Sequence, residues 1–296
     1  LKLNFVKSEK NINLTFPEKE TKQPDNPVMN LTAIGARNFF AENGLPRPAY
    51  EASRRLSFLD KESSPNWPHF ADAVEICQML ESLWQNLSEE QLKKIKQASL
   101  LHDIGKAGPI AATAEQQKSF VKVFNLIFEK EKYNEKSIRE LTISEALQVK
   151  VEEGQLKKSE AIVLLKNLCE AAKDENREQT KISKETKMID FWSAHVYWSV
   201  DLLKFLNIEE EIIKIVAAHH IWDGHNPENL ASINENQFKL MLADRYQAFR
   251  RRSGKNHQET MVILRKTAQS KLVKEKEKIL CEEIMQEMEK LKDFIK

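Results

Sequence analysis

Five short signals in this 296-residue sequence bring together residue types that bind metals. His69 opens an amphipathic stretch, and His102-Asp103 stand side by side ahead of Ile104-Gly105-Lys106. His195 lies in an apolar segment, His219 and His220 form a doublet, and Asp244 shares a helical stripe with Met241 and Ala248. Imidazole and carboxylate donors together suit divalent Fe, Mn, Zn, Co or Ni. Adjacent His102 and Asp103 point in different directions, so each can serve one ion while the carboxylate bridges a pair. Two ions about 3.5–4 Å apart can hold a bridging hydroxide as nucleophile and polarise a phosphoryl oxygen. Each signal alone has a plain structural explanation. A lone histidine on an apolar face is a core or cap residue, a doublet at a helix C-terminus favours the helix dipole, and an HD dipeptide is near chance. Asp244 is harder to dismiss, because an unpaired buried carboxylate is costly. Taken in order, the set points to a metal centre.

Helices must position these donors. Seven glycines, nine prolines and an abundance of Lys, Glu, Leu and Ile favour helix over sheet, and no strand-like alternation is long enough to found a sheet. The expected fold class is all-α, a helical bundle with a bimetal site in its core. Residues 1 to about 30, broken by Pro17, Pro24 and Pro27, read as extended or irregular. A short helix over 31–43 stops at Asn43-Gly44, and Pro46, Pro48, Pro65 and Pro68 bracket a loop-rich passage with one helical stretch. From His69 the rhythm is firm, with Ala73, Ile76, Leu80 and Leu83 on one face. Ser88-Glu89-Glu90-Gln91 is a capping box opening a helix that delivers His102-Asp103 and closes at Gly105. Residues 110–190 read as Lys/Glu-rich helices. Asp190 reads as the N-cap of a helix carrying His195, Ser199 and Leu202, and a helix over 209–220 ends in the doublet. WDGHNP (222–227) is a tight loop, a helix over 235–252 carries Asp244, and one long helix spans about 257–295.

Composition narrows the class. Forty-six basic against 45 acidic side chains give a net charge of +1, which does not favour a long nucleic acid held by bulk charge. Cys77, Cys169 and Cys281 are far apart and odd in number, so they read as reduced thiols of a cytoplasmic protein. No apolar run approaches the ~20 residues of a membrane span, and no basic-then-apolar leader follows Leu1. Arg250, Arg251 and Arg252 cluster one to two turns after Asp244; they read either as phosphate-binding forks or as a solvated helix end. Asp223 reads either as a turn residue or as a carboxylate orienting a ligand histidine, and His225 as a loop contact or a solvent-facing residue.

LLHDIGKAGP (100–109) resembles the central motif of the HD phosphohydrolase superfamily, while HHIWDGHNP (219–227) with LADRYQAFRRR (242–252) resembles its HD-GYP branch, whose members hydrolyse cyclic dinucleotides, chiefly cyclic di-GMP. The likeness covers about 65–110 and 190–265. It implies an HD-domain bundle with His69, His102, Asp103, His195, His219, His220 and Asp244 as ligands to two divalent ions, Fe or Mn ahead of Zn, Co and Ni. It implies that Lys106 meets a substrate phosphate; Asp103 and Lys106 are the expected catalytic pair, and Arg250 and Arg251 are expected from the basic cluster itself as further phosphate contacts. The chain would divide into an N-terminal extension (1–64), a catalytic domain (65–265) with a helical insertion at about 110–185, and a C-terminal helix (266–296) that leaves room for a homodimer. Ile221 stands where the branch has Glu, His225-Asn226-Pro227 replaces GYP, and Pro65 occupies the position of the carboxylate used by three-ion members, so two ions are expected. The implied activity is metal-dependent hydrolysis of a cyclic dinucleotide through a metal-bridging hydroxide. The alternatives are a nucleotide-sensing or partner-binding HD module without turnover, an HD-type single-stranded DNA nuclease, and a di-iron oxygenase.

Overall fold

The structure, a computed structural model, describes residues 33–63, 69–84, 87–128, 135–251, 253–272 and 274–293. The described residues form helices α1 (Ala33–Glu42), α2 (Arg47–Ser63), α3 (His69–Leu83), α4 (Glu89–Leu101), α5 (Ala114–Phe124), α6 (Glu135–Glu140), α7 (Ile143–Glu152), α8 (Lys158–Ala171), α9 (Met188–Phe205), α10 (Glu210–Ala217), α11 (Glu235–Arg251), α12 (His257–Lys271) and α13 (Glu275–Met288). No strand occurs among them, and the single β-bridge joins Thr142 to Lys187. No described helix is long and apolar enough to cross a membrane.

Two apolar clusters organise the helices. The larger draws on α1–α4 and α9–α13, with Ile76, Ile95, Leu203, Ile215, Phe238 and Leu264 among its members. The smaller gathers Phe120, Leu147, Leu168, Phe191 and Trp198 from α5, α7, α8 and residues 188–198 of α9. Helix α9 serves both, which explains why it is apolar around most of its circumference. His195 therefore sits where the two clusters meet.

Local chemistry sets most helix ends. Ser88 and Gln91 cap α4 reciprocally, as the sequence predicts. Behind α1 the Leu45 N–H donates to Phe40 O and the Gly44 N–H to Ala41 O; Gly44 takes φ +72°, completing a left-handed cap that brings Leu45 back towards the core.

Three expectations need correction. The helical stretch expected after Pro46 is present, but the passage is not loop-rich: it is a 17-residue helix, α2, because Pro46 and Pro48 fall at its start, where no intrahelical N–H is missed. Its Ala49, Ser53, Leu56 and Asp60 are buried at helical spacing. Asp190 does not cap α9; Lys187 holds that position, because the Met188 N–H donates to Leu141 O and the Ile143 N–H to Thr186 O, fixing the entry by backbone. The long C-terminal helix is two. Leu272 leaves α12 in an extended conformation, and α12 and α13 then place Met261, Leu264 and Ala268 against Cys281, Ile284 and Met288. The drift in apolar spacing that one helix would show is the trace of two separate faces.

Candidate metal centre

Four elements bring the donors together: the end of α4, the middle of α9, the turn after α10 and the middle of α11. The turn Ile104–Ala107 after α4 is seated directly on α9, since a Cβ on Gly105 would come within 2.2 Å of His195 O and 2.3 Å of Ser199 N. Ser199 locks that contact. Its hydroxyl donates to His102 O at 2.8 Å and accepts the Gly105 N–H at 2.9 Å. Close approach of these two backbones sets Asp103 opposite His195.

The imidazoles share one device. His102 Nδ1 donates to Ser99 O at 2.7 Å, His195 Nδ1 to Trp192 O at 2.5 Å, and His219 Nδ1 to Val216 O at 2.5 Å. In each case the carbonyl three residues back takes the Nδ1 proton, so the Nε2 lone pair is left to face inward. His220 follows the same logic with a carboxylate: Nδ1 donates to Asp223 Oδ2 at 2.8 Å, and Arg245 Nη2 fixes that carboxylate at 2.7 Å.

His195, His219 and His220 form a group whose ligand atoms lie within 4.8 Å of one another, suited to hold a metal ion. His195 Nε2 and His219 Nε2 face each other at 3.0 Å. Two lone pairs at that distance repel unless a proton or a cation lies between them. A proton is disfavoured, because burial pushes His195 down to about 4 and His219 well below the ordinary imidazole value. A cation suits the pair: imidazole nitrogens about 2.0–2.1 Å from a shared ion in a tetrahedral shell stand about 3.3 Å apart, close to the 3.0 Å seen here.

Asp103 links this cluster to a second group. Its Oδ1 lies 3.0 Å from His195 Nε2. Its Oδ2 lies 3.4 Å from His102 Nε2 and 3.7 Å from His69 Nδ1, and accepts a hydrogen bond from Lys106 Nζ. Burial opposes its charge, yet His102, Lys106 and His195 outweigh burial and hold its carboxyl well below the usual range. His102 Nε2, buried without a hydrogen-bond partner, also faces Asp244 Oδ1 at 3.5 Å. Burial works against a charged His102, but Asp103 and Asp244 outweigh it and raise its pKa. Asp244 is likewise lowered, with burial overcome chiefly by His102. Solvent reaches the centre where the His220 and Asp244 side chains are 21% and 17% exposed.

The structure thus brings His102, Asp103, His195, His219, His220 and Asp244 into one buried region, with His69 and Lys106 against Asp103. Arg251 instead clamps Glu75 on α3, and Arg250 Nη1 donates to Lys255 O at 3.3 Å; Arg252 lies outside the described residues. The arginine beside the cluster is Arg245, which sequence reasoning passed over although it directly follows Asp244. Asp60 was also missed. From α2 it accepts the backbone N–H of His69 and Asn125 Nδ2 at 2.7 Å, and burial pushes its carboxyl up to about 7. No sequence period marks Asp60 as special; only the packing of α2 on α3 and α5 does. Gln247 is a third, donating to Asp72 Oδ1 and Glu75 Oε2 across the α3–α11 seam. His225 proves to be a loop contact, buried with its ring edge-on to Tyr197.

A scan of family models, a search of curated proteins and a search of solved structures each give no match to this chain. Fold and geometry together define an all-α helical protein with a three-histidine cluster able to coordinate a metal ion.

Proposed function

We propose that this chain is a metal-dependent phosphodiesterase of the HD type that opens a cyclic dinucleotide, cyclic di-GMP in the first instance, to the linear dinucleotide. The supporting observation is the convergence of His102, His195, His219 and His220 with Asp103 and Asp244, in the chain order that the superfamily resemblance implies. His195, His219 and His220 would hold one divalent ion, and a second cation belongs on the Oδ2 side of Asp103, beside His69, His102 and Asp244. When bound, such an ion supplies Lewis acidity that polarises a phosphoryl oxygen and lowers the pKa of a water.

The chain's own residues do the rest. Asp103, held ionised and gripped by Lys106, faces His195 with Oδ1 and His102 with Oδ2 and would help to hold the bound ion. Lys106 places fixed charge beside the reacting phosphate, where preorganised charge in a buried site is most effective. Arg245, stacked near Trp222 with its guanidinium 5.5 Å from the ring centroid, stands at the solvent-reached edge and can receive the second phosphate of a dinucleotide. One P–O bond to a ribose 3′ oxygen breaks, water oxygen bonds phosphorus, and the ribose oxygen gains a proton. In this reading residues 65–265 form the catalytic unit, and 110–185 is an insertion packed on α9.

A second reading, a nucleotide-sensing module without turnover, is favoured by the loop after the doublet. Asn226 ties that loop shut through Leu230 N and O, and Ile221 supplies no carboxylate. Incubation of metal-loaded protein with cyclic di-GMP, followed by chromatography, separates the two: a linear product lost in Asp103→Ala supports the enzyme, while binding without product supports the sensor. Cleavage of single-stranded DNA alone would redirect the assignment to a nuclease.

A further inference from the structure

We infer that the Lys106 ammonium is itself the second cation of this centre, so that the loaded protein holds one metal ion where its resemblance implies two. The inference rests on the metal-hydrolase reading above.

Four observations carry it. First, Lys106 is only 6% exposed and points inward, donating to Asp103 Oδ2 and, at 3.4 Å, to His69 Nδ1. A carboxylate oxygen and an imidazole nitrogen are the donors a divalent ion would need on this side of Asp103. Second, His69 is turned differently from the other histidines. Its Nδ1 accepts from Lys106, which leaves the proton on Nε2, facing Asp60 Oδ1 across 3.6 Å. Its one lone pair is therefore directed at the ammonium.

Third, Lys106 has little freedom to withdraw. Its backbone N–H donates to Asp103 O at 2.9 Å within the turn, and the neighbouring Gly105 is wedged against α9 with no room for even a methyl group. Fourth, among the described residues the only three donors within mutual ligand range are His195, His219 and His220. With the ammonium seated on Asp103 Oδ2 and His69 Nδ1, His69, His102, Asp103 and Asp244 make three contacts of 3.4–3.7 Å but form no such group. An ammonium needs hydrogen-bond acceptors rather than a closed ligand shell, and two acceptors are what it has. The chemical consequence is a fixed single charge with N–H donors on one side of Asp103, able to bind a phosphoryl oxygen without activating a second water.

Metal counting tests this. Protein loaded with Mn²⁺, desalted and analysed by mass spectrometry should carry one ion per chain. Lys106→Met, which keeps an unbranched stem one atom shorter and removes the charge, should carry two, and Lys106→Arg should stay at one. His69→Ala, which would strip a ligand from a second ion, should also stay at one. Two ions in the wild type, or one ion in a Lys106→Met protein with wild-type helical content, overturns the inference while leaving the metal-hydrolase reading intact. Should Lys106→Met fail to fold, the His69→Ala count decides: loss of bound metal there overturns it, and retention of one ion supports it. No ion in the wild type removes the metal reading itself.

Discussion

Gly105→Ala is the smallest change that should damage this centre. The added Cβ would stand 2.2 Å from His195 O, 2.3 Å from Ser199 N and 2.7 Å from Ser199 Oγ. Close carbon–oxygen contacts settle near about 3.3 Å, so the turn and α9 must separate by roughly 1 Å. The two nearest obstacles are backbone, so no side-chain rotation relieves them. Metal–ligand distances tolerate only about 0.2 Å, and the displaced turn carries Asp103 while α9 carries His195, whose contact is 3.0 Å. Overpacking of this kind costs about 1–3 kcal/mol, and disturbing the groups that orient ligands lowers metal affinity about 10–100-fold. Urea unfolding of the metal-free protein reads the first quantity, and Mn²⁺ titration against a competing chelator the second. An alanine variant with wild-type affinity and stability within about 0.5 kcal/mol would refute the claim that this close approach builds the site.

Other outcomes follow from the same contacts. Ser199→Ala leaves the buried Gly105 N–H and His102 O without the hydroxyl they share and should lower stability by about 1–3 kcal/mol in urea unfolding. Asp223→Asn weakens the grip on His220 Nδ1 and should reduce metal affinity about 10-fold, with helicity by circular dichroism unchanged. Asp60 is raised by burial to about 7 from its ordinary 3.8. The folded chain thus keeps a proton that the unfolded chain releases, and Asp60 costs stability as pH rises from about 4 to about 7. Metal-free Asp60→Asn should therefore gain on wild type across that window and hold a constant difference above it; a flat difference from pH 4 to 8 would count against a buried, raised carboxyl. Tyr246→Phe removes the hydroxyl joining His257 Nδ1 at 2.8 Å and Leu291 O at 3.3 Å, and should loosen the α12–α13 hairpin, seen as faster amide exchange in α13.

Much of the centre was legible because its donors are chemically conspicuous and their helices strongly periodic. His102-Asp103 needed only the Ser88–Gln91 cap and the apolar rhythm of α4 to be placed at a helix end. His195 in an apolar helix and Asp244 on the stripe of Met241 and Ala248 marked polar groups that burial must satisfy. What stayed hidden depends on packing between segments distant in sequence. Asp60 precedes His69 by nine residues and looks like any acidic helix residue until α2 closes on α3 and α5. Arg250 and Arg251 drew attention as a cluster, while Arg245, alone, holds the carboxylate that orients His220. The break at Leu272 carries no glycine or proline, so only the separate burial of Met261–Ala268 and Cys281–Met288 reveals it.

Anomalous diffraction from a crystal soaked in Mn²⁺ or Zn²⁺ tests the central claim most directly. The predicted result is a strong peak among the Nε2 atoms of His195, His219 and His220, about 2.0–2.2 Å from each. Ordered imidazoles with no peak between them, or a peak held by other residues while these three nitrogens remain unligated, would contradict it.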